Sequence, residues 1–294
     1  NSLTGYAFMK MLLGALGYDS AKEGYTGPNW SIQVAKRALN IGLDDDLVGD
    51  FNGVKAVNRE EACLYALNTL TATMVEYEKN STVTVGNITI KDQSSAKDMA
   101  NTGKTDGKIF KADGKMQFAE KYFDNLSVTK GSDDFARPAN VWKLKAEKIG
   151  TYADTADLTY TKSVDVCDIY KDLGLGSKIE KKDVSVYVDG VVDPENKIVP
   201  IAITKDNDDD SYGANGVLTE VFYDDDADTV TITEVNTYVG EISKTVKATS
   251  KKDAYVVVIP EGVKPTSMKN SEEFETTASF DDDAYVLYTY SEDA

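Results

Sequence analysis

Arg59 is the side chain whose position in this sequence points most directly to recognition chemistry. It lies in the stretch Val57-Asn58-Arg59-Glu60-Glu61-Ala62-Cys63-Leu64. Asn58 is a good N-cap and Glu61 follows three residues later, a spacing that predicts a capping box in which each side chain accepts from an otherwise unpartnered backbone N–H. Arg59 then falls in the first helical turn, where the positive end of the helix dipole gives a cation no support. A guanidinium placed there serves another group. That group is either a carboxylate of the preceding loop, Asp50 above all, or an anionic ligand gripped by the planar fork of the side chain.

The other chemistry-bearing residue types narrow the field. Histidine is absent, which removes the commonest general base and metal ligand and excludes Ser-His and Cys-His mechanisms. Cys63 and Cys167 are the two cysteines of the chain, with neither a CxxC motif nor a disulfide framework. The acidic run Asp206-Asn207-Asp208-Asp209-Asp210 has the alternation that could converge on calcium. Ser211 stands where an EF-hand needs Gly, however, and no Glu follows at the twelfth position, so a solvated loop is expected. Asp44–Asp46 and Asp281–Asp283 read the same way. The chain has carboxylates enough for a glycosidase pair, whose separation only a fold can set. No Gly-x-Ser-x-Gly elbow or phosphate-binding glycine loop is present. No metal, cofactor or catalytic residue is expected.

The elements that must position Arg59 are helical. Its own helix reads as a stripe of Cys63, Leu67, Leu70 and Met74. Upstream, Thr4 caps a helix over residues 4–16, with a Leu3–Phe8 staple, a buried face of Phe8, Leu12, Leu13 and Leu16, and Gly17 as terminator. A second helix starts around Gly27-Pro28-Asn29, puts Trp30, Val34, Ala38 and Ile41 on one face, and closes at Gly42. Residues 1–78 therefore read as a small all-helical unit in which cap, helix and acidic-glycine loop recur.

Thirty-two basic against fifty acidic residues give a net charge of −18, of which residues 1–80 carry only −3. That balance argues against nucleic acid or an anionic membrane surface as the partner. No apolar run is long enough for membrane insertion. The chain opens inside what reads as a helix cap and without a secretory signal pattern, so Asn1 is expected not to be the natural start.

These residues carry a resemblance. Asn29-Trp30 with Ile32, then Ala38-Leu39-Asn40-Ile41-Gly42-Leu43, then Gly49-Asp50-Phe51-Asn52-Gly53, then Asn58-Arg59-Glu60-Glu61-Ala62 resemble, in order, one complete S-layer homology (SLH) repeat. Thr4–Leu13 resembles the second helix of a preceding repeat, with Gly5 where the motif's Arg would stand, and Asn58 replaces the usual Thr. The resemblance implies a bacterial cell-surface protein of the extracellular cell wall or S-layer of a Gram-positive-type organism. Its anchoring would be non-covalent, to secondary cell-wall polysaccharide, in a groove formed by several repeats. It makes Arg59 the anion contact, with Trp30, Asp50, Asn52 and Gly53 shaping the groove, and leaves room for self-association in a surface layer. Trp30 is open to a second role, as a core residue locking two helices.

After Lys79 the periodicity becomes alternating. Residues 79–140 read as a hairpin (Thr82–Val85, turn at Gly86-Asn87, Ile88–Ile90), a polar connection over 91–115 and a short helix near Met116–Phe123, with Arg137-Pro138 as a boundary. Residues 141–294 read as β-rich modules, a small barrel or sandwich, with a short helix over Val166–Leu173. Val184–Val188, Asp189-Gly190 and Val191-Val192 predict a second hairpin, and the longest strands are expected between Leu218 and Ile242. The fold class is thus multi-domain α + β, helical first and then mainly antiparallel. The function class is a binding or structural surface protein; the alternative is a secreted carbohydrate-active enzyme with its carboxylates in the β-region.

Overall fold

The computed structural model describes residues 2–78, 82–85, 88–91, 95–110, 112–192 and 199–292, the second and third of these ranges by backbone alone. Two compact units emerge: Asn1–Lys130 with Val141–Gly150, and Gly131–Asn140 with Thr151–Ala294. The fold is α + β, with helices first and then mainly strands in several small sheets.

The first unit begins with α1 (Gly5–Ala15), α2 (Trp30–Asn40) and α3 (Arg59–Thr71). The first two stop by the same device. Gly17 N–H donates to Gly14 O at 3.1 Å and Tyr18 N–H to Leu13 O at 3.0 Å. Gly42 and Leu43 repeat that pair of bonds onto Leu39 and Ala38 at 3.2 and 3.0 Å. This is the Schellman arrangement, and it requires a left-handed residue that glycine supplies, at φ 103° for Gly17 and 69° for Gly42. Tyr18 and Leu43, the residues just past each glycine, turn into a core made with Met9, Leu13, Leu16, Val34, Ala38 and Tyr65. Each such side chain contributes roughly 1.5–3 kcal/mol by leaving water.

Two expectations for these helices are corrected. Leu3 is 43% exposed and outside the core, and Met9 takes the central place expected of Phe8 and Leu12, which lie at the margin. In α3 the stripe through Cys63 is displaced: Cys63 is exposed, and the buried positions are Tyr65 and Thr69. Thr69 can be buried because its hydroxyl donates to Tyr65 O at 2.7 Å. Leu67 and Leu70 lie against a separate cluster of Ile109, Ala119, Val128 and Trp142. The helix therefore packs on two sides, which blurs any single apolar stripe. Met74 is buried but lies beyond the last helical turn.

The helices do not close off a unit at residue 78. Strand β1 (Val75–Glu76) pairs antiparallel with β4 (Lys97–Asp98), and Met74, Met99 and Met116 exchange backbone hydrogen bonds of 2.8 Å. Between them β2 (Thr82–Val85) and β3 (Ile88–Lys91) form the expected antiparallel hairpin; its Gly86-Asn87 turn lies outside the described residues. Beyond them α4 (Phe118–Tyr122) starts at Gln117, whose N–H donates to Glu120 Oε2 at 3.4 Å. Glu120 is buried and accepts from Asn101 Nδ2 at 2.7 Å and Gly107 N–H at 3.1 Å. A buried carboxylate thus organises a stretch that has no hydrophobic period. Strands β5 (Leu126–Ser132), β6 (Pro138–Leu144) and β7 (Glu147–Ala153) form a three-stranded sheet in the order β5-β6-β7.

The second unit continues with β8 (Leu158–Tyr160), β9 (Val164–Asp165), α5 (Val166–Asp172), β10 (Val184–Val188), β11 (Ser211–Tyr212), β12 (Val217–Asp224) and β13 (Thr229–Asn236). One open sheet has the order β10-β13-β12-β8 over a core of Val166, Ile169, Val184, Val186, Val221 and Ile232. Here the second predicted hairpin is corrected. Asp189 and Gly190, at φ 49° and 90°, do turn the chain, but only a bridge Val188↔Val191 follows, and β10 pairs in parallel with β13. The remaining strands, β14 (Tyr238–Val246), β15 (Tyr255–Pro260), β16 (Glu272–Glu275) and β17 (Tyr285–Tyr288), make a second open sheet, order β16-β15-β14-β17. Its core is separate: Ile242, Val256, Val258, Met268 and Tyr288. In place of one barrel or sandwich there are several small sheets.

Candidate functional site

The capping box at the start of α3 forms as the spacing predicts. Glu61 N–H donates to Asn58 Oδ1 at 2.8 Å and Asn58 N–H to Glu61 Oε2 at 2.9 Å. Lys55 Nζ adds an ion pair to Glu61 Oε1 at 3.1 Å. The Asn58 N–H first, and Lys55 next, hold the Glu61 carboxyl below its ordinary range. Arg59 sits one residue into this frame. It is exposed, and no carboxylate among the described residues pairs with it; Asp50 is exposed as well, and no ion pair joins the two. The cap therefore presents a guanidinium without consuming it.

Two of the other expected residues, Trp30 and Gly53, meet around a side chain that the sequence reading passed over, Tyr6. Its N–H donates to Gly53 O at 2.9 Å, and its ring lies directly over the Gly53 Cα. Trp30 meets the same ring edge-on, centroids 6.3 Å apart, and Phe51 meets it at 5.9 Å. Asn52 shapes the loop from within, its Oδ1 accepting from Val54 and Lys55 N–H at 3.3 and 3.2 Å. Gly5 belongs to the same junction: a Cβ there would sit 2.9 Å from Asn52 O. Glycine at position 5 of the first helix is thus needed for the close approach of the loop 51–55.

Trp30 is half-buried and packs against the helical core, so the locking role is the one its contacts display. Lys10 Nζ stands 5.2 Å from its ring centroid and donates to Tyr25 O at 2.7 Å. A cation over one face leaves less of the ring for a ligand. Trp30 and Gly53 are brought together through Tyr6, with Asn52 next to Gly53 in the same loop; Arg59 and Asp50 are exposed and form no ion pair with each other. Tyr6 could have been found from sequence only by asking what covers a loop glycine.

The acidic stretches have structural duties. Asn207 O accepts from Cys167 N–H at 2.8 Å and Asp210 O from Val166 N–H at 3.0 Å, so the Asp206–Asp210 loop satisfies the first free donors of α5. Among the described residues no three carboxylate or cysteine side chains converge as metal ligands would. Asp189 is buried and accepts from Asn236 N–H, Asn236 Nδ2 and Tyr238 Oη at 2.8, 2.9 and 2.7 Å. No helix of the described residues is long and apolar enough to cross a membrane. No protein-family model, curated protein or solved structure matches the chain, so its functional reading rests on its own residues.

Proposed function

We propose that this chain is part of a bacterial cell-surface protein whose SLH-like helical region anchors it non-covalently to secondary cell-wall polysaccharide, with the acidic strand-rich region displayed outward. The role is binding rather than catalysis, at the cell wall or S-layer of a Gram-positive-type bacterium. The observation that supports it is Arg59: an exposed guanidinium, held at a helix start by the Asn58–Glu61 box, that no described carboxylate uses. An acidic group on a glycan is a natural partner for it, since the fork of an arginine matches a carboxylate. The order of landmarks from Asn29-Trp30 to Asn58-Arg59 supports the same reading. The test is co-sedimentation of this chain, and of a longer protein that carries further repeats ahead of it, with purified wall sacculi before and after removal of their secondary polysaccharide. Binding by the longer protein that disappears with the polysaccharide is expected, with weak or no binding by this chain. Retention on stripped sacculi overturns the proposal.

A further inference from the structure

Glycine follows Asn or Asp at five places in the chain: after Asn52, Asp106, Asp113, Asp189 and Asn215. Such a pair can close on itself, because a glycine nitrogen has no side chain beside it to hinder attack on the neighbouring side-chain carbonyl. In four of the five the side chain is held away. Asn52 Oδ1 accepts from Val54 and Lys55 N–H at 3.3 and 3.2 Å, Asp106 Oδ1 from Asp113 and Gly114 N–H at 3.2 Å each, and Asp113 Oδ1 from Lys115 N–H at 2.8 Å. Asp189 is buried among its Asn236 and Tyr238 donors. Asn215 differs: it is exposed, and its amide makes no hydrogen bond to any described residue.

The turn that carries Asn215 explains why glycine follows it. Val217 N–H donates to Ala214 O at 3.3 Å, closing a turn over residues 214–217. Gly216 has φ 82° while Asn215 keeps an ordinary negative φ, the pattern of a type II turn, whose third position requires glycine or asparagine. Gly216 O accepts from Thr237 N–H at 2.9 Å, but the Gly216 N–H is exposed and meets no described acceptor. Nucleophile and amide carbon are thus neighbours in the chain, both in water, and neither is committed elsewhere. The Asn52-Gly53 pair is the opposite case. Gly53 is buried beneath the Tyr6 ring, and Asn52 O would lie 2.9 Å from a Cβ on Gly5, so neither peptide unit has room to rotate.

We propose that the Asn215-Gly216 pair is a site of spontaneous covalent modification, at which water converts Asn215 to aspartate and isoaspartate while the Asn52-Gly53 pair stays intact. The Gly216 nitrogen, losing its proton to hydroxide, bonds to Asn215 Cγ. The bond from Cγ to the side-chain nitrogen breaks, and that nitrogen takes a proton from water and leaves as ammonia. A water molecule then opens the cyclic imide. Cleavage between the Gly216 nitrogen and Cγ gives aspartate; cleavage between that nitrogen and the Asn215 backbone carbonyl carbon gives isoaspartate, with the main chain rerouted through Cβ and Cγ. Nothing is oxidised or reduced. Either product adds a negative charge, and isoaspartate lengthens the backbone just ahead of β12, where Val217 pairs with Asn236.

This assignment does not rest on the wall-glycan reading. The test is incubation of the 294-residue chain in mildly alkaline buffer, folded and in urea, with peptide mapping by mass spectrometry over time. Electron-transfer fragmentation tells isoaspartate from aspartate. In the folded chain, conversion at Asn215 is expected to be about tenfold or more faster than at Asn52, the rate equivalent of the two hydrogen bonds that Asn52 would have to give up. In urea the two sites should convert at similar rates. Asn215→Gln, an exposed change that puts the amide carbon one bond too far for the same ring, should stop conversion at that position and leave the thermal midpoint where it was. An intact Asn215 in the folded chain, aspartate formed there without isoaspartate, equal rates at Asn52 and Asn215 in the folded chain, or the same rate ratio in urea each overturns the proposal.

Discussion

The Tyr6 ring covers Gly53 so closely that a Cβ added to Gly53 would fall inside the ring's van der Waals envelope, while the Tyr6 N–H holds the Gly53 carbonyl at 2.9 Å. The loop before α3 is clamped to the first turn of α1 here and through Gly5 N–H, which donates to Lys55 O at 3.0 Å. Gly53→Ala should therefore destabilise the first unit by about 1–3 kcal/mol, the usual cost of overpacking. Gly14, inside α1 with open space around it, is the control: Gly14→Ala should stabilise by about 0.5–1 kcal/mol. Urea unfolding of both variants gives the two signs, and a Gly53→Ala midpoint equal to wild type would remove the clamp.

Arg59 and Trp30 should separate binding from stability. In a protein that carries further repeats ahead of this chain, Arg59→Ala should weaken wall-glycan binding by roughly 1.5–3 kcal/mol, the worth of a charge-assisted bond. Its melting temperature should not change, because the Asn58–Glu61 box remains. Trp30→Ala should act on stability instead. The ring is only half-buried, so a loss of about 2 kcal/mol is expected, below the roughly 3–5 kcal/mol of a fully buried aromatic. An Arg59→Ala variant that binds normally and melts much lower would make Arg59 a structural residue.

In the second unit Asp189 is the acceptor for three donors from the β13–β14 corner, Asn236 twice and Tyr238 once. Asp189→Asn tolerates the left-handed backbone at φ 49° but turns an amide donor toward donors. The expected cost is about 1–3 kcal/mol for buried donors left unmatched. Hydrogen exchange checks its place: the Asn236 amide should lose protection first. Unchanged protection there would show that the carboxylate charge is dispensable.

Alkaline pH should unfold the chain in a defined window. Burial is the leading cause that raises Tyr77 and Tyr212, each to about 12 from 10.0. A hydroxyl whose folded value is raised favours the fold fully below the unfolded value and loses that contribution as pH climbs through the folded one. Stability should thus fall between pH 10 and about 12. Tyrosinate absorbance should show a late-ionising group that rises together with loss of near-ultraviolet circular dichroism. A single transition of all tyrosines near pH 10 in a still-folded chain contradicts the burial of these two.

What this sequence determined by itself was local. The Asn58–Glu61 box, the glycine stops at Gly17 and Gly42, the short helices near 118 and 166 and the β12–β13 hairpin all depend on groups a few residues apart, so their hydrogen bonds close whatever the rest of the chain does. Burial was decided elsewhere. Cys63 faces solvent and Thr69 the core because α3 is packed from two sides by segments as distant as Met9 and Trp142, and no helical period records where such partners arrive. The parallel pairing of β10 with β13 joins strands more than forty residues apart, across which turn chemistry has no reach. The same holds for the cluster around Tyr6. Tyr6 meets Gly53 only once the loop has docked on α1; alone it is an ordinary tyrosine, and the tertiary structure decides that it is a clamp.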